Sequence, residues 1–103
     1  MNDPQLRETT ITSIQEAVAS LFGVSVDELK QETSRRVVAV PRQIAMYLAK
    51  QMTDASQSEI GRHFGGMHHT TVMHAIAKME AQRRTDSALD RVLSELLTSL
   101  SHH

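Results

Sequence analysis

The sequence predicts an all-α bundle of about six helices, and three observations carry that prediction. Apolar residues recur at three- and four-residue spacing in segment after segment. Those segments are punctuated by Ser/Thr-x-x-Glu/Gln start signals and by glycine or proline breaks. The third observation is compositional: 103 residues, 40% hydrophobic but only 3% aromatic, make one domain whose core is aliphatic and filled out by methionine.

Residues 1–9, with Asp3-Pro4 and little apolar content, are expected to fray, leaving 10–101 as the folded domain. The first helix is expected from Thr12, with Ile14, Val18, Leu21 and Phe22 on one stripe and Thr12/Gln15 or Ser13/Glu16 as its capping pair. Gly23 ends it. Its only internal charge is Glu16, which favours core packing over membrane attachment. Ser25 and Glu28 form a capping box for a second, short helix, with Val24 and Leu29 as a hydrophobic staple, giving out near Thr33-Ser34.

Arg35 and Arg36 then lead into Val37-Val38-Ala39-Val40-Pro41, where β-branching and the pre-proline position favour extended backbone, so both arginines are expected on an arm. Pro41 suits the first position of a third helix, whose buried stripe is Ile44, Ala45, Leu48, Ala49 and Met52, with Arg42, Gln43, Lys50 and Gln51 off it. Thr53-Asp54-Ala55 turns the chain. Ser56 and Glu59 cap a short helix carrying Ile60 and Phe64, which breaks at Gly65-Gly66.

The next helix divides by face: Val72, Ala75, Ile76 and Met79 point inward, Thr70, His74 and Lys78 outward, with His68, His69 and Thr71 around its mouth. It stops near Thr85. Asp86 or Ser87 caps a last helix whose Leu89, Val92, Leu93, Leu96, Leu97 and Leu100 close the core, the run being too short for a coiled coil. His102 and His103 are read as a tail or tag remnant.

A short helix, a glycine turn and a longer helix with a polar first turn form the helix-turn-helix layout, in which the second helix enters the major groove of DNA. Hydroxyls and imidazoles there can bond base edges and phosphates. The net charge of −1 hides an uneven distribution: residues 34–84 hold eight basic and three acidic side chains, a net of +5, between acidic flanks of −6. Nucleic-acid affinity depends on the local face.

Other chemistries find little support. The absence of cysteine excludes disulfides and thiolate metal sites and permits a reducing compartment. His69 and His74 stand five apart, unlike an i, i+4 metal pair, and no acidic ligand is suitably spaced. With no Walker A loop, paired-carboxylate cleft or nucleophile with its base, the chain is expected to be no enzyme and to carry no cofactor. No apolar run spans a bilayer, and MNDPQLRETT lacks a signal-peptide hydrophobic region, so a cytoplasmic, nucleoid-associated protein is expected.

IGRHFGGMHHTTVMHAIAKME, preceded by VVAVPRQIAMYLAKQMT, resembles the C-terminal DNA-binding domain (domain IV) of DnaA, the bacterial chromosomal replication initiator. The matching residues are Ile60, Gly61, Phe64, Gly65, Gly66, His68, His69, Thr70, Thr71, Val72, Ala75 and Lys78. The resemblance extends from about residue 8 to the end and implies a Trp-repressor-like helix-turn-helix bundle, binding double-stranded DNA as a monomer at a TTATNCACA-like box of a replication origin. It implies Arg36 in the minor groove, and Arg42, Gln43 and Lys50 on phosphate or backbone. His69, Thr70 and Thr71 would meet bases and thymine methyls, while His74 would meet phosphate and Lys78 is a further DNA contact. His68 replaces the Asp of some members, exchanging an acceptor for a group able to donate. Departures are Met67, where Lys or Arg is usual, and Val40, Glu32 and Thr33 at positions often basic; these predict reduced affinity. The resemblance also implies that the ATP site of full initiators is absent from this chain. Two alternatives stand beside it: a free-standing regulator or mobile-element accessory reusing the domain, and a protein-interaction module with weakened DNA binding.

Overall fold

The computed structural model describes residues 9–101, in which six helices follow one another with no strand among them. They are α1 (Ile11–Phe22), α2 (Val26–Leu29), α3 (Arg36–Met52), α4 (Gln57–His63), α5 (His69–Arg83) and α6 (Ser87–Ser101). The expectations for residues 1–8 and for His102 and His103 lie outside the described residues.

α3 is the hub, touching every other helix. Its unbroken buried run from Ile44 to Ala49 is wider than the predicted stripe, taking in Met46 and Tyr47 as well. A helix enclosed on several sides has no face left for solvent along that stretch. The fully enclosed side chains Phe64, Ile14, Leu29, Met46, Leu48, Ile60, Met79 and Leu93 join the helices into one largely aliphatic core, with Phe64 and Tyr47 as its buried aromatic rings.

Local signals behave as read at most helix ends. Ser25/Glu28 and Ser56/Glu59 are reciprocal capping boxes, and Gly23 closes α1 in the left-handed conformation at φ 70°. Asp86 caps α6 through its carboxylate on the Leu89 N–H at 3.0 Å. The α1 cap is different from both expected pairs: Thr10 and Ser13 form the reciprocal box, two residues upstream, because Ile11 is buried and is drawn into the first turn. α2 ends at Leu29, short of Thr33-Ser34. The carbonyls beyond it are engaged elsewhere: that of Gln31 accepts from Arg42, and that of Lys30 lies against Gly65.

The largest correction concerns residues 36–40. They are helical, forming the first turns of α3, and Pro41 stands inside the helix rather than at its first position. Proline there leaves the Val37 carbonyl without its i+4 donor, a cost of about 3 kcal/mol in an ordinary helix interior. Burial opposes that cost: Val38, Ala39 and Pro41 are all buried, and an extended segment would leave them in water. Val37, 56% exposed, turns its side of the helix to solvent, where water can satisfy the orphaned carbonyl.

Candidate nucleic-acid interface

The corner between α4 and α5 is set by three glycines. Gly61 lies so close to the Met67 carbonyl that a Cβ would collide with it, while the Gly61 carbonyl accepts from the Phe64, Gly66 and Met67 amides at 3.0 Å each. Gly65 and Gly66 both hold left-handed backbone, at φ 79° and 81°. Only Gly65 is also crowded, against the Lys30 carbonyl, so the turn is pinned to the end of α2. Gln15 reaches across from α1 to donate to the His63 carbonyl at 2.8 Å, tying the end of α4 to the core.

Met67 follows the glycines, and its side chain is core, 8% exposed. The position read as a missing phosphate contact is here an anchor that buries the chain just before α5 begins. An apolar side chain gains by turning inward, where a cation would have to face out.

α5 then places its residues as its periodicity required. Val72, Ala75 and Met79 are buried and Ile76 half-buried, while His68, His69, Thr71, His74 and Lys78 are exposed and Thr70 half-buried. His68 is the N-cap: its Nδ1 accepts from the Thr70 N–H at 3.2 Å and lies 2.8 Å from the Thr70 Oγ1. The His68 and His69 rings stack with centroids 4.4 Å apart, tilted by 32°.

Thr71, His74 and Lys78 share a cleft of ≈ 210 Å³ with Arg42, Gln43 and Met46 of α3. Thr71 and Arg42 also border a second hollow, walled by Glu32, Thr33 and Ser34 of the loop between α2 and α3. The mouth and exposed side of α5, the flank of α3 and that loop thus form one surface. Sequence reasoning weighed Glu32 and Thr33 but missed Met46 and Ser34; the packing of three separate segments brings them together there.

The helical start of α3 has a consequence for Arg36. Arg36, Gln43 and Lys50 are spaced by sevens on one helix, so they fall on nearly the same stripe, over a span of about 21 Å. Arg36 and Lys50 are exposed. The described residues contain one ion pair, Arg83–Asp90 at 2.8 Å, so among them Arg35, Arg36, Lys50 and Lys78 form no salt bridge. Arg83 is occupied otherwise, donating to the buried Tyr47 hydroxyl; with the Asp90 hydrogen bond the larger cause, its pKa is raised.

Arg42 departs from its expected place off the buried stripe. It is 8% exposed and donates through Nη1 to the Gln31 carbonyl at 2.8 Å. Burial pushes the guanidinium pKa down, partly offset by Glu32. Its first task is to tie α3 to the end of α2, from the floor of the cleft. Gln43 is half-buried, and its Oε1 is enclosed with no hydrogen-bond partner among the described residues. Turning the amide would present its NH₂ group instead.

Residues 11–79 match the model of the bacterial DnaA protein helix-turn-helix family. The chain belongs to that family. It is 46% identical over 96 residues to the chromosomal replication initiator protein DnaA of Lactobacillus helveticus (strain DPC 4571), covering 93% of this chain and 21% of that protein. The corresponding figures for DnaA of Caulobacter vibrioides (strain NA1000 / CB15N) are 48% over 94 residues, 91% and 19%. For DnaA of Lactobacillus delbrueckii subsp. bulgaricus (strain ATCC BAA-365 / Lb-18) they are 48% over 90 residues, 87% and 20%. The chain therefore spans about a fifth of the length of these relatives. The DnaA helix-turn-helix is a DNA-binding domain rather than a catalytic one, and the match does not include the ATP-binding region of the initiators. Among the described residues no three His, Cys, Asp or Glu side chains converge as a metal site, and no helix is long and apolar enough to cross a membrane.

Proposed function

We propose that this chain binds double-stranded DNA sequence-specifically, as a monomer, at TTATNCACA-like boxes, and addresses a replication initiator to its origin in the cytoplasm. One observation carries the reading: Gln43, on the α3 stripe that also holds the exposed Arg36 and Lys50, shares a cleft with Thr71, His74 and Lys78 of α5, and among the described residues none of these cations is in a salt bridge. Helix α5 would enter the major groove with His68, His69, Thr70 and Thr71 at the base edges. Gln43, Lys50, His74 and Lys78 would hold the flanking phosphates and fix register without reading sequence. Arg36, at the exposed start of α3, would reach an adjacent narrow minor groove, where A·T-rich sequence attracts guanidinium. Arg42 would act chiefly by holding the α2–α3 loop in place and only secondarily on phosphate.

The test is a mobility-shift titration across salt concentrations, comparing a TTATNCACA duplex with a scrambled one. Binding to both should weaken steeply with salt, and the box should be favoured by at least roughly tenfold, as a single good base contact provides. Equal affinity for the two duplexes would leave a generic DNA binder and sink the proposal. Arg36→Ala should weaken binding most on boxes with an intact A·T-rich end; an equal loss on scrambled DNA would make it a plain phosphate contact.

A further inference from the structure

His68 is held in a way that fixes which hydrogen-bonding group it can offer. A backbone amide can only donate, so the Thr70 N–H at 3.2 Å requires an unprotonated Nδ1. The Thr70 Oγ1 also sits 2.8 Å from that nitrogen, and two acceptors so close would repel; the hydroxyl hydrogen must therefore point at Nδ1. With Nδ1 accepting, the ring's N–H is the one on Nε2, and stacking on His69 constrains its plane. With its own hydrogen spent on the ring, the Thr70 hydroxyl has only lone pairs left for a ligand. The helix cap thereby polarises the mouth of α5: His68 presents a donor and Thr70 an acceptor.

Base edges in the major groove differ in this respect. Guanine shows two acceptors, thymine one and adenine an acceptor beside a donor, whereas cytosine shows only its amino donor. We propose that His68 sets base preference at one position of the bound site, its Nε2–H selecting an edge with an acceptor and rejecting cytosine. This rests on the assignment of the α5 surface as the DNA-reading face. A side chain that caps equally well but offers a lone pair in place of the N–H should invert the choice. Aspartate is such a side chain, and asparagine is the control that can cap through its oxygen while its amide still donates.

The experiment measures full-chain binding to duplexes in which each position of the box carries each of the four bases, for wild type, His68→Asn and His68→Asp. At one position wild type and His68→Asn should prefer guanine or thymine over cytosine by roughly tenfold, and His68→Asp should reverse that order. Unfolding curves establish that the caps remain, since Asp and Asn both support a helix start. If all three proteins share one base preference, His68 reads no base and the inference is overturned, even though box binding stands. If wild type fails to distinguish box from scrambled duplex, it is the DNA-reading assignment that has failed. Imidazole nitrogen NMR of the free protein provides a second measurement: the proton should reside on Nε2 of His68, and finding it on Nδ1 would also overturn the inference.

Discussion

The two junctions that flank the proposed DNA surface were specified in opposite ways. At the α4–α5 corner, three glycines meet demands no other residue satisfies: Gly61 and Gly65 touch backbone carbonyls, and Gly65 and Gly66 hold positive φ. At the α2–α3 junction the local signals pointed away from the structure, since Val37, Val38, Val40 and Pro41 favour extended backbone yet α3 runs through them. The first junction is fixed by sterics within a few residues of the turn. The second is fixed by what its side chains meet on distant helices, and it yields only because Val38, Ala39 and Pro41 gain more by burial than the helix loses at the proline.

Substitutions sharpen this contrast. Gly65→Ala combines positive φ with a backbone collision and should cost more than about 3 kcal/mol in urea unfolding, since the Lys30 carbonyl cannot move away cheaply. Arg42→Ala should cost about 1–3 kcal/mol by the same measurement, because it removes a buried side chain and its tie to the Gln31 carbonyl, which keeps only the Thr33 N–H. Gly66→Ala meets open space and pays only for its left-handed backbone, about 1–2 kcal/mol. Were Gly65 and Gly66 equally sensitive, contact with α2 would not be what distinguishes them.

Pro41→Ala tests the other junction. It restores an N–H for the Val37 carbonyl but removes buried ring atoms, and the balance should be a gain of about 1 kcal/mol in the unfolding midpoint analysis. A large loss would mean that the ring's packing, more than the helix backbone, holds the start of α3. The smallest effect is expected at the cap of α4. The Ser56 backbone N–H holds the Glu59 carboxylate below its ordinary pKa of 4.5, so its contribution is complete above that pH and lost as pH falls through the folded value. Glu59→Gln should flatten this part of the acid unfolding profile and leave neutral-pH stability nearly unchanged.

The same contrast explains what could be read in advance. Helix number, the capping boxes at Ser25 and Ser56, the glycine corner and the outward placement of His68, His69, Thr71, His74 and Lys78 follow from spacing and residue type. The partners of polar groups were not legible. Nothing near Arg42 in the chain announces that the Gln31 carbonyl will claim it, and nothing near Met67 shows that its side chain will turn inward. Likewise Gln15 finds His63, and Arg83 finds Tyr47, across long separations in sequence.

By itself, then, the amino-acid order determined most helices, the turn between α4 and α5 and the polar residues exposed on α5, because periodicity, caps and positive φ are properties of a few neighbouring residues. Tertiary structure alone decided that residues 36–40 are helical, that Arg42 is a buried tie and that Arg36, Gln43 and Lys50 share a stripe. These outcomes turn on burial against distant segments, and the free energy of burial belongs to the pair of surfaces that meet.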